Sequence, residues 1–269
     1  MTAKEFFDAG QLDDAVRTLT QDVKARPSDT SLRIFLFELL CFQGDLDRAG
    51  KQLDVIGAQG SAVDTALAVQ IYRDLIAAER MRRQVFHDGA LPQFFLSPPP
   101  YADRYVVLVK KMAQSPADAA PLLAEAEEHF PAHGGRIGER AFSSFRDADD
   151  RLGPVLEVFH QGKYLWLPHG QIRRLQVTQP KTLRDTIWAH AKIETDEGSV
   201  GDVFLPALYV DTHAHANDQV RLGRMTEWQA VEDQVVVGAG QRVFLVDDEE
   251  VSILEMRDVQ FNRAAPPDA

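Results

Sequence analysis

Apolar and polar positions along this chain follow two different periods, and the change of period divides it. Up to about residue 130 the apolar residues recur three and four apart, as in Leu12–Lys24, Ser31–Phe42 and Val63–Ala78. That spacing gives a helix one buried face. Gly residues and the Pro27-Ser28-Asp29 turn break the segments, as helix stops and starts do. After Pro98-Pro99-Pro100 the pattern predicts a helix from about Ala102 to Met112. The next helix opens with Ser115 as N-cap, Pro116 in the first turn and Asp118 near the positive end of the helix dipole.

Beyond Gly153 the chain changes to short β-branched and aromatic runs: VLEVF, KYLWL, TIWAHAKIET, DVFLPALYV, QVVVG, RVFLV and EVSILEM. Gln161-Gly162 and Asp247-Asp248 supply turn signals between some of them. The short spacing leaves little room for crossover helices, so an antiparallel sheet or small barrel is expected. The expected fold is a multi-domain α+β chain. Residues 1–130 form a helical domain, 131–152 a Gly-rich, charged surface linker, 153–263 a mainly antiparallel strand-rich domain, and 264–269 a frayed tail. Such a linker predicts halves that can be separated.

Within the helical half, Gly10-Gln11-Leu12-Asp13-Asp14-Ala15 recurs as Gly44-Asp45-Leu46-Asp47-Arg48-Ala49, 34 residues later. That is the length of a tetratricopeptide repeat. Gly lets two antiparallel helices turn tightly, Ala lets them pack closely, and Pro27 ends the second helix. The second copy has Ser61 where the first has Pro27, so these are degenerate repeat-like hairpins of an α-α superhelix. Such stacks present a concave face to peptides or helices. Aligned on Gly44, the repeat places Ile34, Glu38 and Phe42 on that face. The same register carried one repeat further brings Ala68, Tyr72 and Leu75 alongside. An apolar strip with an acid in it suits an amphipathic helix that also carries a basic residue.

Charge narrows the partner classes. The net charge is -12, and both halves are acidic, with 14 Lys/Arg against 19 Asp/Glu in residues 1–130 and 15 against 22 in residues 131–269. A nucleic-acid partner needs a basic surface, so none is expected. No stretch approaches the ~18 apolar residues of a membrane span, and the N-terminus carries acids where a signal peptide carries bases. A cytoplasmic location is expected. Cys41 lies in the apolar run SLRIFLFELLCF and reads as a buried, inert thiol.

The one enzyme-like string is Asp211-Thr212-His213-Ala214-His215. It resembles the metal-binding HxH of TatD-type and other amidohydrolase-fold enzymes, where two histidines on one strand share a zinc. That motif opens a (β/α)₈ barrel of ~250 residues. Only 54 residues follow His215, so a polar loop between strands is the expectation and no metal or other cofactor is implied. Gly238-Ala239-Gly240 lacks a following helix and reads as a turn rather than a nucleotide cradle. Trp166, Trp188 and Trp228 are expected to pack between strands or in the core.

The order of strings along the chain resembles the ImpE family (also called SciE or TagJ), accessory proteins of bacterial type VI secretion clusters. The strings are AGQLDDA with the Pro-Ser-Asp turn, DADDRLGPVLEVFHQGKYLWLP at 147–168, TLRDTIWAHAKI at 182–193, DVFLPALYV at 202–210, VRLGRMTEW at 220–228 and GQRVFLVDDE at 240–249. The resemblance covers nearly the whole chain. It implies a superhelical domain joined to a strand-containing one, no catalytic activity, and as partner a helix near the N-terminus of the small subunit of the contractile sheath. Two alternatives stand beside this adaptor reading: a metal-dependent hydrolase using His213 and His215, and a structural secretion subunit without a peptide groove.

Overall fold

The computed structural model describes residues 1–60, 62–232 and 234–262. Five helices open the chain: α1 (Ala3–Asp8), α2 (Leu12–Ala25), α3 (Thr30–Gln43), α4 (Leu46–Gln59) and α5 (Val63–Asp88). A two-residue strand β1 (Gln93–Phe94) separates them from α6 (Pro100–Gln114) and α7 (Ala119–Glu127). The strands that follow are β2 (Gly135–Ile137), β3 (Arg140–Phe142), β4 (Phe145–Asp147), β5 (Val155–His160), β6 (Lys163–Pro168), β7 (Ile172–Val177), β8 (Trp188–Thr195) and β9 (Gly198–Pro206). A short helix α8 (Asp218–Arg221) precedes β10 (Thr226–Val231), β11 (Val235–Gly240), β12 (Val243–Val246), β13 (Glu249–Ser252) and β14 (Asp258–Phe261).

The helices pair as hairpins, each packing on the next. Asp29 caps α3 by accepting from the Ser31 and Leu32 N–H groups, and Asp45 caps α4 at Arg48. Between α3 and α4 the turn residue Gly44 sits at φ 77°, in the left-handed region that favours glycine. A side chain there would also strike the His213 imidazole, since an added Cβ would lie 2.3 Å from its Cδ2. Helix α5 runs ten residues past Ala78, because no breaker intervenes before Gly89 takes the left-handed C-cap.

The strands form a nine-stranded sheet in the order β1-β6-β5-β9-β8-β7-β14-β2-β3, a three-stranded sheet β13-β12-β4 and a ribbon β10-β11. Every pairing is antiparallel except β1 with β6. Gln161-Gly162 and Asp247-Asp248 turn β5 into β6 and β12 into β13. The central strands are buried on both faces. Phe159, Tyr164, Trp166 and Trp188 join one apolar cluster with the helices, while Leu156, Val158, Leu165 and Leu167 join a second with Phe244, Val246 and Met256. Alternation along each strand produces this two-sided packing.

Three features differ from the sequence expectation. Residues 131–152 hold β2, β3 and β4; β2 pairs with β14 and β4 with β12 from the end of the chain, and β3 pairs with β2, so this stretch is woven into the sheets. Gly238-Ala239-Gly240 lies within strand β11, where the missing side chain of Gly238 leaves room for the Tyr209 and Trp228 rings. The helical and strand-rich halves also meet over one continuous core. The tail at 264–269 lies outside the described residues.

Candidate partner-binding groove

Helices α3 and α5 flank α4, and at their N-terminal ends they enclose a groove of about 310 Å³. Its walls are Ile34 and Phe37 of α3, Leu53 and Ile56 of α4, and Ala68, Val69 and Tyr72 of α5. Thr30, Asp64 and Thr65 line it too, together with Arg184 from a one-turn helix before β8. The guanidinium of Arg184 stacks 5.0 Å from the centroid of the Tyr72 ring and lies 3.8 Å from the Glu38 carboxylate.

The six residues placed on the concave face by the repeat register divide in two. Ile34, Ala68 and Tyr72 line the groove. Phe42 and Leu75 are closed to solvent, and Glu38 is 7% exposed. The cause is visible one layer up. Trp188 of β8 packs within 6.4 Å of both Phe37 and Tyr72, so the chain's own sheet fills the concave face beyond the first two turns. Burial raises the pKa of the Glu38 carboxyl, an effect that Arg184 opposes. No periodic signal marks Arg184, Asp64 or Thr30. Arg184 reaches the groove only because β8 docks on the helices.

Below the groove lies a charged seam in which each group is satisfied. Arg82 of α5 donates from Nε and Nη2 to the two Glu157 carboxylate oxygens at 2.8 and 2.9 Å, and from Nη2 to the Leu208 carbonyl at 3.0 Å. Arg242 donates to Glu157 at 2.9 Å and to Asp147 at 2.6 Å. The Tyr164 hydroxyl donates to Glu157, and Tyr209 donates to Asp147. All four charged side chains are nearly or fully buried. Burial pushes the Asp147 pKa up to about 6 despite Arg242, whereas at Glu157 the two arginines outweigh burial and lower it. With Glu79 also 3.4 Å from Arg82, these paired charges form a structural tie among α5, the large sheet and the small one.

The two histidines of the HxH string do different jobs. His213 lies in a one-turn helix (Thr212–Ala214) and packs under the Gly44 turn. His215 accepts the Asn217 N–H at Nδ1, and its Nε2 is 3.5 Å from Glu227. The stretch they belong to is a docking plate for the hairpins: Asp218 accepts the Leu12 N–H at the start of α2, and Arg221 pairs with Asp13 at 3.1 Å. Among the described residues no group of three His, Cys, Asp or Glu side chains is placed to hold a metal ion. Cys41 is buried, and burial pushes its thiol pKa well up, as for an inert thiol.

Comparison with known proteins gives three findings. The family model described as ImpE protein matches residues 139–260. The chain is 40% identical over 271 residues to the type VI secretion system accessory component TagJ of Pseudomonas aeruginosa, covering 100% of this chain and 93% of that protein. The X-ray crystal structure of protein VPA1032 from Vibrio parahaemolyticus superposes with a TM-score of 0.88 at 28% identity, covering 97% of this chain and 98% of that one.

Proposed function

The chain belongs to the ImpE family, and from that premise we propose that it is a non-enzymatic cytoplasmic adaptor of a type VI secretion system. Its groove takes an amphipathic helix near the N-terminus of the small contractile-sheath subunit. The observation that carries this reading is the apolar groove between α3 and α5, open at Ile34, Ala68 and Tyr72 and rimmed by Asp64 and Arg184. A helix laid there buries its apolar face, and a base and an acid at its edges meet those two charges. The adaptor reading also draws on the seam, whose buried charges are engaged with one another. No described helix is long and apolar enough to cross a membrane.

Titration calorimetry with a synthetic peptide of that sheath helix tests the reading. Tyr72→Ala is expected to weaken binding by about 1–3 kcal/mol, the range for a buried anchor, and Ala68→Glu to weaken it similarly by filling the groove. Circular dichroism must first show both variants folded. Unchanged affinity in both would move the site off this groove, and no binding by the wild-type protein would sink the adaptor mechanism.

A further inference from the structure

The ribbon β10-β11 has one sealed edge and one open edge. Along β11 the outward N–H groups are all taken: Val236 donates to Asp150 Oδ2 at 2.7 Å, Gly238 to Asp149 Oδ2 at 3.0 Å and Gly240 to Thr212 Oγ1 at 2.8 Å. Since these three point away from β10, the antiparallel ladder fixes which groups of β10 point away from β11. They belong to the residues directly opposite, Ala230, Trp228 and Thr226. Strand β10 has no second neighbour among the described residues, and its four central residues are exposed in succession.

Other edges of the molecule are protected in the usual ways. Strands β1 and β3 are two and three residues long, and β13 carries Glu249 and Glu250. Strand β10 is six residues long, carries the single acid Glu227, and presents Trp228 at 36% exposure beside Ala230 and, across the ladder, Val236 at 37%. A tryptophan on a free edge next to more apolar surface is the composition of an interface.

The strand is also complementary to itself. In an antiparallel pair related by a two-fold axis at Trp228, that residue faces its own copy, Thr226 faces Ala230, and Glu227 faces Gln229. No like charges oppose each other, and the outward groups of Thr226, Trp228 and Ala230 exchange about six N–H···O bonds. We propose that two copies of this chain join edge to edge through β10, with the axis at Trp228, to form a four-stranded sheet β11-β10-β10-β11. This pairing leaves the α3/α5 groove of both copies untouched and does not depend on what that groove binds.

Sedimentation velocity up to about 100 µM chain tests it. The wild-type protein is expected to sediment with twice the mass of one chain. Ala230→Pro removes an outward N–H without touching the β10-β11 bonds, and should raise the dissociation constant at least tenfold. Gln229→Glu alters one exposed side chain and sets an acid opposite Glu227 of the second copy, so it should weaken the dimer at low salt and lose that effect at high salt. A monomeric wild-type protein would overturn the proposal and leave the edge to a foreign strand. A dimer indifferent to both variants would place the interface elsewhere and overturn it equally.

Discussion

From Val63 to Tyr72, helix α5 shows much of its surface to solvent, with Val63 82% and Leu67 60% exposed. From Leu75 to Phe86 the same helix is clamped against the sheet, and its Arg82 is 2% exposed between carboxylates. One 26-residue element therefore serves two ends. Its first half leaves apolar surface uncovered beside a groove, and the inward face of its second half, from Leu75 through Arg82 to Phe86, is buried. The difference teaches where to look for recognition in such a protein. A buried charged cluster attracts attention first, but its satisfied geometry marks it as a fastening, while the poorly covered end of the helix is the part with binding capacity to spare.

The comparison can be broken most severely by removing the sheet. A fragment of residues 1–130 strips Arg82 of Glu157 and the helices of Trp166 and Trp188. It is expected to keep helical circular dichroism but lose a cooperative thermal transition. A sharp transition would restore the independent two-domain reading of the sequence. Arg82→Met is next, because it leaves Glu157 facing Arg242 alone. A loss of about 3–5 kcal/mol is expected in urea unfolding, as for one partner removed from a buried pair. A cost under about 1 kcal/mol would mean that water reaches the seam.

His133 sharpens the contrast, because it is half-buried outside the seam and its buried Nε2 has no partner. Burial lowers its pKa to about 4. The unfolded chain then binds the proton more tightly. The contribution to stability is complete above pH 6.5 and is lost as pH falls toward 4, an effect of about 2–3 kcal/mol. Asp147 acts in the opposite sense, gaining stability as pH falls from about 6 toward 3.8, so the two partly cancel in the wild-type curve. His133→Asn is expected to remove its own share of the acid loss and leave that of the fully buried His169, whose pKa burial also lowers, and unfolding curves for both proteins between pH 7 and 4 measure the difference. The smallest effect belongs to the open half of α5: Leu67→Lys should change stability by no more than ~0.5 kcal/mol by thermal melting, because that residue is 60% exposed.

Much of the fold was legible in local signals. The glycine turns at Gly10 and Gly44, the Asp29 cap and the two-residue turns in the strand-rich half are written within a few residues of where they act. Strands β2, β3 and β4 were not legible. Each is three residues long, and the strands that tie them into the sheets lie at the far end of the sequence, as in Ile137 with Val259 and Asp147 with Phe244, while β3 pairs with β2 alone. The groove was half legible for a related reason. A repeat register states which face of a helix turns inward but not what else arrives there. It therefore put Ile34, Ala68 and Tyr72 beside the groove without showing that Phe42 and Leu75 on the same strips would be closed to solvent, that Trp188 would pack on Phe37 and Tyr72, or that Arg184 would lean over Tyr72.

The separation of 75 positions between Arg82 and Glu157 also sets a timetable on the ribosome. At about 5–20 residues per second, Arg82 leaves the exit tunnel roughly 4–15 s before Glu157 follows it out. During that interval the face destined for the sheet is uncovered, and it includes Leu75, Ile76, Val85 and Phe86. An arginine in the middle of that face keeps it hydrated and costly to bury against a wrong, purely apolar surface. The charge that later fastens the two halves can thus guard the nascent helices against premature association while they wait for the sheet.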